Sequence, residues 1–282
     1  MKLNAGVSGR YKLVTRKVHD LNNAVGELEF DNLITDIGLE RWATNPIGTK
    51  CFIGSGNAPP TVNDTALGAQ LAANTATQNL QNWKAYSAAE RWTEATICYR
   101  FQPGVTLNSI AEVGVGWDGG LWSRALVRDV NGNPTTIQLL SDEVLDVYYT
   151  LRIQFPADVT GSIVLDGVTY DWVLRPAELA TWPESYSYYF YYAFATGGVA
   201  KASTGSITQP DTSPGGAGSS STTTVAAYVP GSRKRTMTFR FDLNDANINI
   251  KSVIVQPGSG YYPTTSWQLG FYQNGQSVGV PK

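Results

Sequence analysis

The sequence predicts an all-β protein, organised as two tandem related β-sandwich-like units with a few short helices. Three observations carry that expectation. Alternating apolar and polar residues recur along the chain, as in Thr96–Phe101 (TICYRF) and Thr236–Phe241 (TMTFRF), and such period-two runs of aromatic and β-branched residues mark half-buried strands. Turn-forming pairs separate the runs, among them Asn131-Gly132, Asp166-Gly167 and Asn274-Gly275, which tolerate the positive φ of tight hairpins. Finally, landmarks recur 140 residues apart: Arg100 and Arg240, Phe101 and Phe241, Ile110 and Ile250, Val113 and Val253, Val115 and Val255. A fixed spacing across several landmarks points to an internal repeat, with a first unit over 1–140 and a second over 141–282.

The elements follow in order. Tyr11–Val14 and Glu27–Phe30 read as strands around a turn at Asn22-Asn23. Thr35 or Asp36 can cap a short helix carrying Leu39 and Trp42, because either side chain accepts from free amides at a helix start. That helix should stop before Asn45-Pro46, since the residue before proline is pushed out of the α region. Lys50–Gly54 is a strand leading into the loop GSGNAPP, and Asn63-Asp64 then caps a second helix over Thr65–Ala73, with Leu67 and Leu71 on its inner face. Further strands are expected over Leu80–Tyr86, Arg91–Phe101, Ile110–Trp117, Leu121–Val130, Thr135–Leu140 and Val144–Phe155.

The second unit repeats the pattern. A hairpin is expected over Ile163–Val173 and a short helix over Pro176–Trp182, with Lys50–Ile53 (KCFI) matched by Phe190–Ala193 (FYYA). Between 196 and 224 the chain is rich in Gly, Ser, Thr and Pro and poor in large apolar residues, so a loop is expected where little surface can be buried. Strands resume over Val225–Val229, Thr236–Leu243, Val253–Val255, Ser266–Tyr272 and Val278–Val280.

With 42% hydrophobic residues, the 282-residue chain can bury a full core. A formal charge of −2 and a single basic triplet, Arg233-Lys234-Arg235, argue against nucleic acid, which demands clustered positive charge. The triplet reads as a solvated strand end. No apolar run reaches the roughly 18 residues of a membrane span, and the N-terminus MKLNAGVSGRYKL has no apolar signal-peptide core. Cys51 and Cys98 fall inside apolar strands, where free thiols pack as small hydrophobes; their pairing is not decided by the sequence.

Catalytic patterns are not found. The one histidine, His19, lies in a polar turn without a serine or cysteine motif beside it, and no nucleophile elbow, P-loop, H-E-x-x-H or C-x-x-C occurs. One His and two strand cysteines do not make a zinc site. Asp142, Glu143 and Asp146 read as a solvent-facing edge, Asp129–Asn133 as a hairpin turn instead of a calcium loop, and Asp242–Asp245 as another turn. The expectation is therefore a non-enzyme with no cofactor, no metal and no catalytic residue.

Aromatic residues form the remaining surplus. Ser185–Phe194 (SYSYYFYYAF) places Tyr186, Tyr188 and Tyr192 on one strand face, and Tyr261-Tyr262 follow a Gly-Ser-Gly stretch. Tyrosine and tryptophan suit interfaces because they combine large contact area with a polar tip. Tyr186, Tyr188, Tyr192, Tyr261, Tyr262 and Trp267 are accordingly the candidate receptor- or interface-contact residues.

Three segments together carry a family resemblance: FDNLITDIGLERWA, CFIGSGNAPPTVNDTALGAQLA and IAEVGVGWDGGLWSRALVRDVNGNPTTIQLLSDEVLDVYYTLRI. They resemble structural proteins of tailed bacteriophages, of the tail fibre, tail tip or baseplate type. The resemblance covers mainly Phe30–Ile153, and the second half departs in loop lengths and in its Tyr-rich strand. It implies a virion component with no catalytic residues, made in the host cytoplasm and partnered by other tail subunits. It also implies assembly around a symmetric tail axis, where a chain of two related units suits a trimer matching three-fold and six-fold parts. The alternative is a carbohydrate- or receptor-binding module for the host surface.

Overall fold

The computed structural model describes residues 5–75, 83–105, 108–177, 198–210, 214–216, 218–257 and 266–280. Antiparallel strands dominate it, as the alternation and turn signals require. One five-stranded sheet contains β1 (Gly6–Lys17), β2 (Gly26–Asp31), β6 (Trp83–Ser87), β7 (Trp92–Phe101) and β10 (Glu143–Gln154), in the order β2-β1-β10-β7-β6. A second holds β3 (Leu33–Ile34), β4 (Lys50–Gly54), β5 (Gln70–Thr75), β8 (Glu112–Trp117) and β9 (Gly120–Leu126), ordered β3-β9-β8-β4-β5. Their inner faces share one core that includes Tyr11, Ile97, Tyr99 and Tyr149 from the first sheet and Ile53, Val113, Val115 and Trp122 from the second.

The single helix among the described residues, α1 (Asp36–Trp42), begins as its sequence predicts. Thr35 is the cap, its Oγ1 accepting from the Gly38 amide at 3.0 Å. Gly38 lets the helix lie directly on β9: a Cβ there would come within 2.7 Å of the Trp122 backbone. Trp42 then packs edge-on to the Trp122 ring at 5.4 Å between centroids, a favoured aromatic geometry.

The remaining strands form a third sheet and a separate hairpin. These are β11 (Val159–Leu165), β12 (Val168–Ala177), β13 (Gly198–Ser203), β14 (Gly218–Ser220), β15 (Thr222–Val225), β16 (Met237–Arg240), β17 (Ser252–Pro257), β18 (Ser266–Gln273) and β19 (Gln276–Ser277). The sheet runs β11-β12-β18-β17-β13-β14, with β19 paired to β18, while β15 and β16 pair with each other. Asp166-Gly167 and Asn274-Gly275 occupy positive φ, as the hairpins β11–β12 and β18–β19 demand.

The two halves run in matching order. In the first, Val113 and Val115 of β8 lie opposite Ile53 and Cys51 of β4. In the second, Val253 and Val255 of β17 lie opposite Ala202 and Ala200 of β13. Outside the strands, Ile110 bridges Ile137 and Ile250 bridges Val280. β3, β9, β8, β4 and β5 thus correspond in order to β12, β18, β17, β13 and β14.

Several expectations are corrected. The division at residue 140 fails, because β10 lies in the middle of the first sheet, bonded to β1 along twelve residue pairs and to β7 along ten. The first unit therefore extends through β10. The helix expected over Thr65–Ala73 does not form: its last residues belong to β5, and the Gly68 and Ala69 amides are drawn to Glu112. Pro176 and Ala177 end β12 and cannot start a helix, and 178–182 lie outside the described residues. The expected 196–224 loop contains β13, β14 and most of β15, small residues serving there as strand residues paired to a core strand. That pairing also makes β13 the counterpart of β4, in place of Phe190–Ala193, which lie outside the described residues.

The halves pack together. Phe155, just past β10, meets Trp267 of β18 edge-on at 5.4 Å, and both belong to the large core with Leu174 of β12. At the rim, Asp158 accepts from Arg91 at 2.6 Å and from Arg175 at 2.7 Å. The basic triplet is no free strand end: Arg233 pairs with Asp36 of α1 at 2.5 Å, and Tyr228 donates to Glu40 at 2.7 Å. Being partly exposed, these rim contacts fix orientation more than they add stability.

At the centre of the core, the Tyr149 hydroxyl accepts from Trp122 Nε1 at 2.7 Å and from Asn32 at 3.2 Å. Tyr149→Phe would leave that indole N–H without its acceptor in an apolar interior, a loss of about 1–3 kcal/mol. Urea denaturation should show a lowered midpoint with an unchanged slope.

Candidate functional site

Loop 55–69 and the strands β8 and β9 converge on one buried ion cluster. Glu112 of β8 and Arg124 of β9 are 0% and 3% exposed, although each lies in an otherwise apolar strand. Their strands put them side by side on the outer face of the sheet, where Arg124 Nη2 reaches Glu112 Oε2 at 2.7 Å. Arg124 also donates to Asp64 at 2.7 Å and to the Ala58 carbonyl at 3.0 Å. Glu112 accepts from the amides of Gly56 at 3.0 Å, Gly68 at 3.0 Å and Ala69 at 2.7 Å. Charge here organises a loop: 55–69, which holds SGNAPP and DTAL, is drawn across the sheet and tied at five points. Leu67 follows it down and packs on Phe52 and Leu121.

The electrostatics match that geometry. Burial pushes the Glu112 carboxyl upward, but the Ala69 and Gly68 amides and Arg124 together outweigh it and hold the group below its ordinary value. Asp64 behaves alike: burial opposes the shift, while Thr61 and Arg124 bring the carboxyl down. Burial lowers Arg124, and its two carboxylate partners more than restore it. With each charge so partnered, the cluster holds the loop in position.

A second cluster lies on the outer face of the β1–β10–β7 sheet. Asp146 is 0% exposed, which corrects the reading of this acid as a solvent-facing edge. It accepts from Arg100 Nε at 2.6 Å and Nη2 at 2.7 Å, and from Arg16 at 3.1 Å. Glu143 is likewise buried, and only Asp142 of that trio is exposed. Beside Asp146, Cys98 packs with Val14 and Tyr148. Burial and then the Asp146 charge push the Cys98 thiol up to about 12, and burial followed by Cys98 and Asp146 does the same to Tyr148. Cys51 is raised by burial too, and neither cysteine is in a disulfide.

The predicted contact residues divide in two. Tyr186, Tyr188, Tyr192, Tyr261 and Tyr262 lie outside the described residues. Trp267 is 3% exposed, its ring covered by Phe155, so as a contact residue it is corrected to the core joining the halves. A shallow groove of about 380 Å³ is bordered by Ser162, Asp171, Trp172 and Tyr272. His19 is exposed, and Asp129 accepts from the amides of Asn131 and Asn133, closing its turn. Among the described residues, no group of three His, Cys, Asp or Glu side chains is placed to share a metal ion, and no helix is long and apolar enough to cross a membrane.

Sequence reasoning missed the Glu112–Arg124–Asp64 cluster. The signal was present: single charges inside apolar strands (AEVGV and WSRAL) are almost never buried unless paired. Comparison with family models, with curated proteins and with solved structures finds no match.

Glu112→Gln should strip Arg124 of one carboxylate and cost about 3–5 kcal/mol, as breaking a buried ion pair does. Because the folded Glu112 and Asp64 values lie below their unfolded ones, their contribution is complete above the unfolded range. It is lost as pH falls through the lower, folded values. Acid titration of the native protein should therefore release the Gly68 and Ala69 amides to exchange below about pH 4, and in the Gln variant they should exchange fast already at pH 7. With both thiols buried and their ionisation suppressed, iodoacetamide at pH 8 should label neither Cys51 nor Cys98 until urea unfolds the chain, as intact-mass spectrometry would read.

Proposed function

We propose that this chain is a non-enzymatic structural component of a phage tail, of the fibre, tip or baseplate type, and that it contributes to host attachment. The observation that carries the reading is what the resemblance motifs do. GSGNAPP, DTAL, EVG and LWSRA meet in the Glu112–Arg124–Asp64 cluster, where every charge holds backbone in place. Charges spent on holding a loop's backbone suit a building block. Tandem copying of one β unit accounts for the matching strand order of the halves. Its partners would be other tail subunits and further copies of itself, a trimer being the favoured assembly, and its place the virion.

Attachment to host polysaccharide is the second reading. The groove over β12, between β11 and β18, favours it, since Trp172 and Tyr272 border it together with Asp171 and Ser162, residue types that suit a sugar's apolar faces and hydroxyls. Antibody against the purified chain, applied to phage particles lysed from a producing host and viewed by electron microscopy, should decorate the tail. Decoration of the head, or of no particle, would overturn the assignment. For the second reading, host polysaccharide should quench the tryptophan fluorescence of the native chain and fail to do so in Trp172→Ala.

A further inference from the structure

Resting on the second reading above, attachment to host polysaccharide, we propose that the groove over β12 selects a cationic amino sugar, a pyranose carrying a free protonated amine. Ser162, Asp171 and Tyr272, all bordering the groove, make that choice.

Strand register places the three together. Ser162 of β11 lies directly opposite Asp171 of β12, and Asp171 lies directly opposite Tyr272 of β18. Directly paired residues of antiparallel strands project on one face, with Cβ atoms about 5 Å apart, so the three stand in a row across the sheet. Thr160, Val173 and Gly270 form the next row of the same face. There a Cβ on Gly270 would come within 2.7 Å of Ile207, which puts Ile207 over that glycine. The Thr208 amide donates to Gln268, one row further along β18, at 2.7 Å. Ser277 of β19, opposite Tyr272, accepts from Ser206 at 2.8 Å. The segment 206–208 is thus a wall along β18 and β19, and the row stays open toward β11.

Chemistry follows from the row. Ser162 and Asp171 are exposed and Tyr272 is half-buried. Among the described residues, none of these three side chains is engaged in a hydrogen bond or ion pair within the protein. Other sheet-face acids are matched by bases, Asp146 by Arg16 and Arg100, and Glu94 by Arg10 and Arg152. Asp171 instead holds an unmatched carboxylate within a concavity, directly opposite a tyrosine. A carboxylate and an aromatic ring are the two groups that hold an ammonium, the first by charge-assisted hydrogen bonds and the second by its negative face. The Thr160 and Ser162 hydroxyls suit sugar hydroxyls, and a lysine side chain would leave them unused, which favours a sugar over a basic peptide. N-acetylation removes the charge that Asp171 would meet, and a uronic acid brings one that it repels.

The test titrates the full chain at pH 5.5 with tetrasaccharides of glucosamine, N-acetylglucosamine and galacturonic acid, followed by NMR chemical shifts. The glucosamine tetramer should bind about five-fold or more tightly than its N-acetyl counterpart, as an exposed ion pair and a cation–π contact together provide. Galacturonate should bind weakest. Asp171→Asn should bring the glucosamine tetramer down to the affinity of the N-acetyl form, and Tyr272→Ala should weaken both. Asp166→Asn, in the neighbouring exposed turn, should change neither. Equal affinity of the native chain for the glucosamine and N-acetyl tetramers, or an equal loss in Asp166→Asn, would overturn the selection and leave the attachment reading standing. Tighter binding of tetralysine would overturn it in favour of a basic peptide. Binding of none of the three tetramers overturns this proposal alone where host polysaccharide still quenches the tryptophan fluorescence, and both readings where it does not.

Discussion

The central position of β10 is the constraint on which the first unit depends. A strand bonded on both edges and covered on both faces must satisfy every polar group it carries, and β10 does so along its length. Its inner face supplies Leu145, Val147, Tyr149, Leu151 and Ile153 to the core. Its outer face supplies Asp146 to two arginines, and Thr150, whose hydroxyl lies 2.6 Å from that of Thr96. Because β10 arrives after β9, the first sheet cannot close until more than a hundred residues separate its β1 and β10 strands. Pairing at such separation carries a large loop-closure cost before contacts repay it, so folding of this unit should be slow and cooperative.

Polar atoms inside this protein do the work that loops in small proteins usually leave to hydrophobic contact. The 55–69 segment has few large apolar residues to anchor it, and Leu67 alone is buried under it. Glu112 and Arg124 supply the missing attachment by accepting and donating to the loop's backbone. A buried pair of this kind is costly to desolvate, and its net worth lies more in fixing one conformation than in lowering free energy. The Gly residues of the loop fit that role: a Cβ on Gly56 would stand 2.3 Å from Glu112 Oε1, so only glycine lets the amide come close enough to donate.

Much of the fold was legible because strands and tight turns are written locally. Lys50–Gly54, the Thr35 cap, and the Asp166-Gly167 and Asn274-Gly275 turns all stand where alternation, capping chemistry and positive-φ preference put them. What failed was non-local. Leu67 and Leu71 have helical spacing, yet tertiary bonds from Glu112 decide the backbone there and the second leucine joins a strand. Asp146 looks like an edge acid in sequence, and only its placement between Arg16 and Arg100, far away in the chain, makes it an interior residue. Trp267 looked like surface for the same reason: nothing local reveals Phe155 lying against it.

The boundary between units is the instructive error. A sequence repeat is measured between like residues, and Ile110 and Ile250, 140 apart, each form an isolated bridge to a later residue, Ile137 and Val280. A folding unit, by contrast, is delimited by which strands bond, and β10 bonds backward. Repeat and unit therefore have different ends: the repeat marks where a pattern restarts, whereas the unit closes only when its last strand has been inserted. Placing a boundary by periodicity alone removes β10 from the sheet whose middle it occupies.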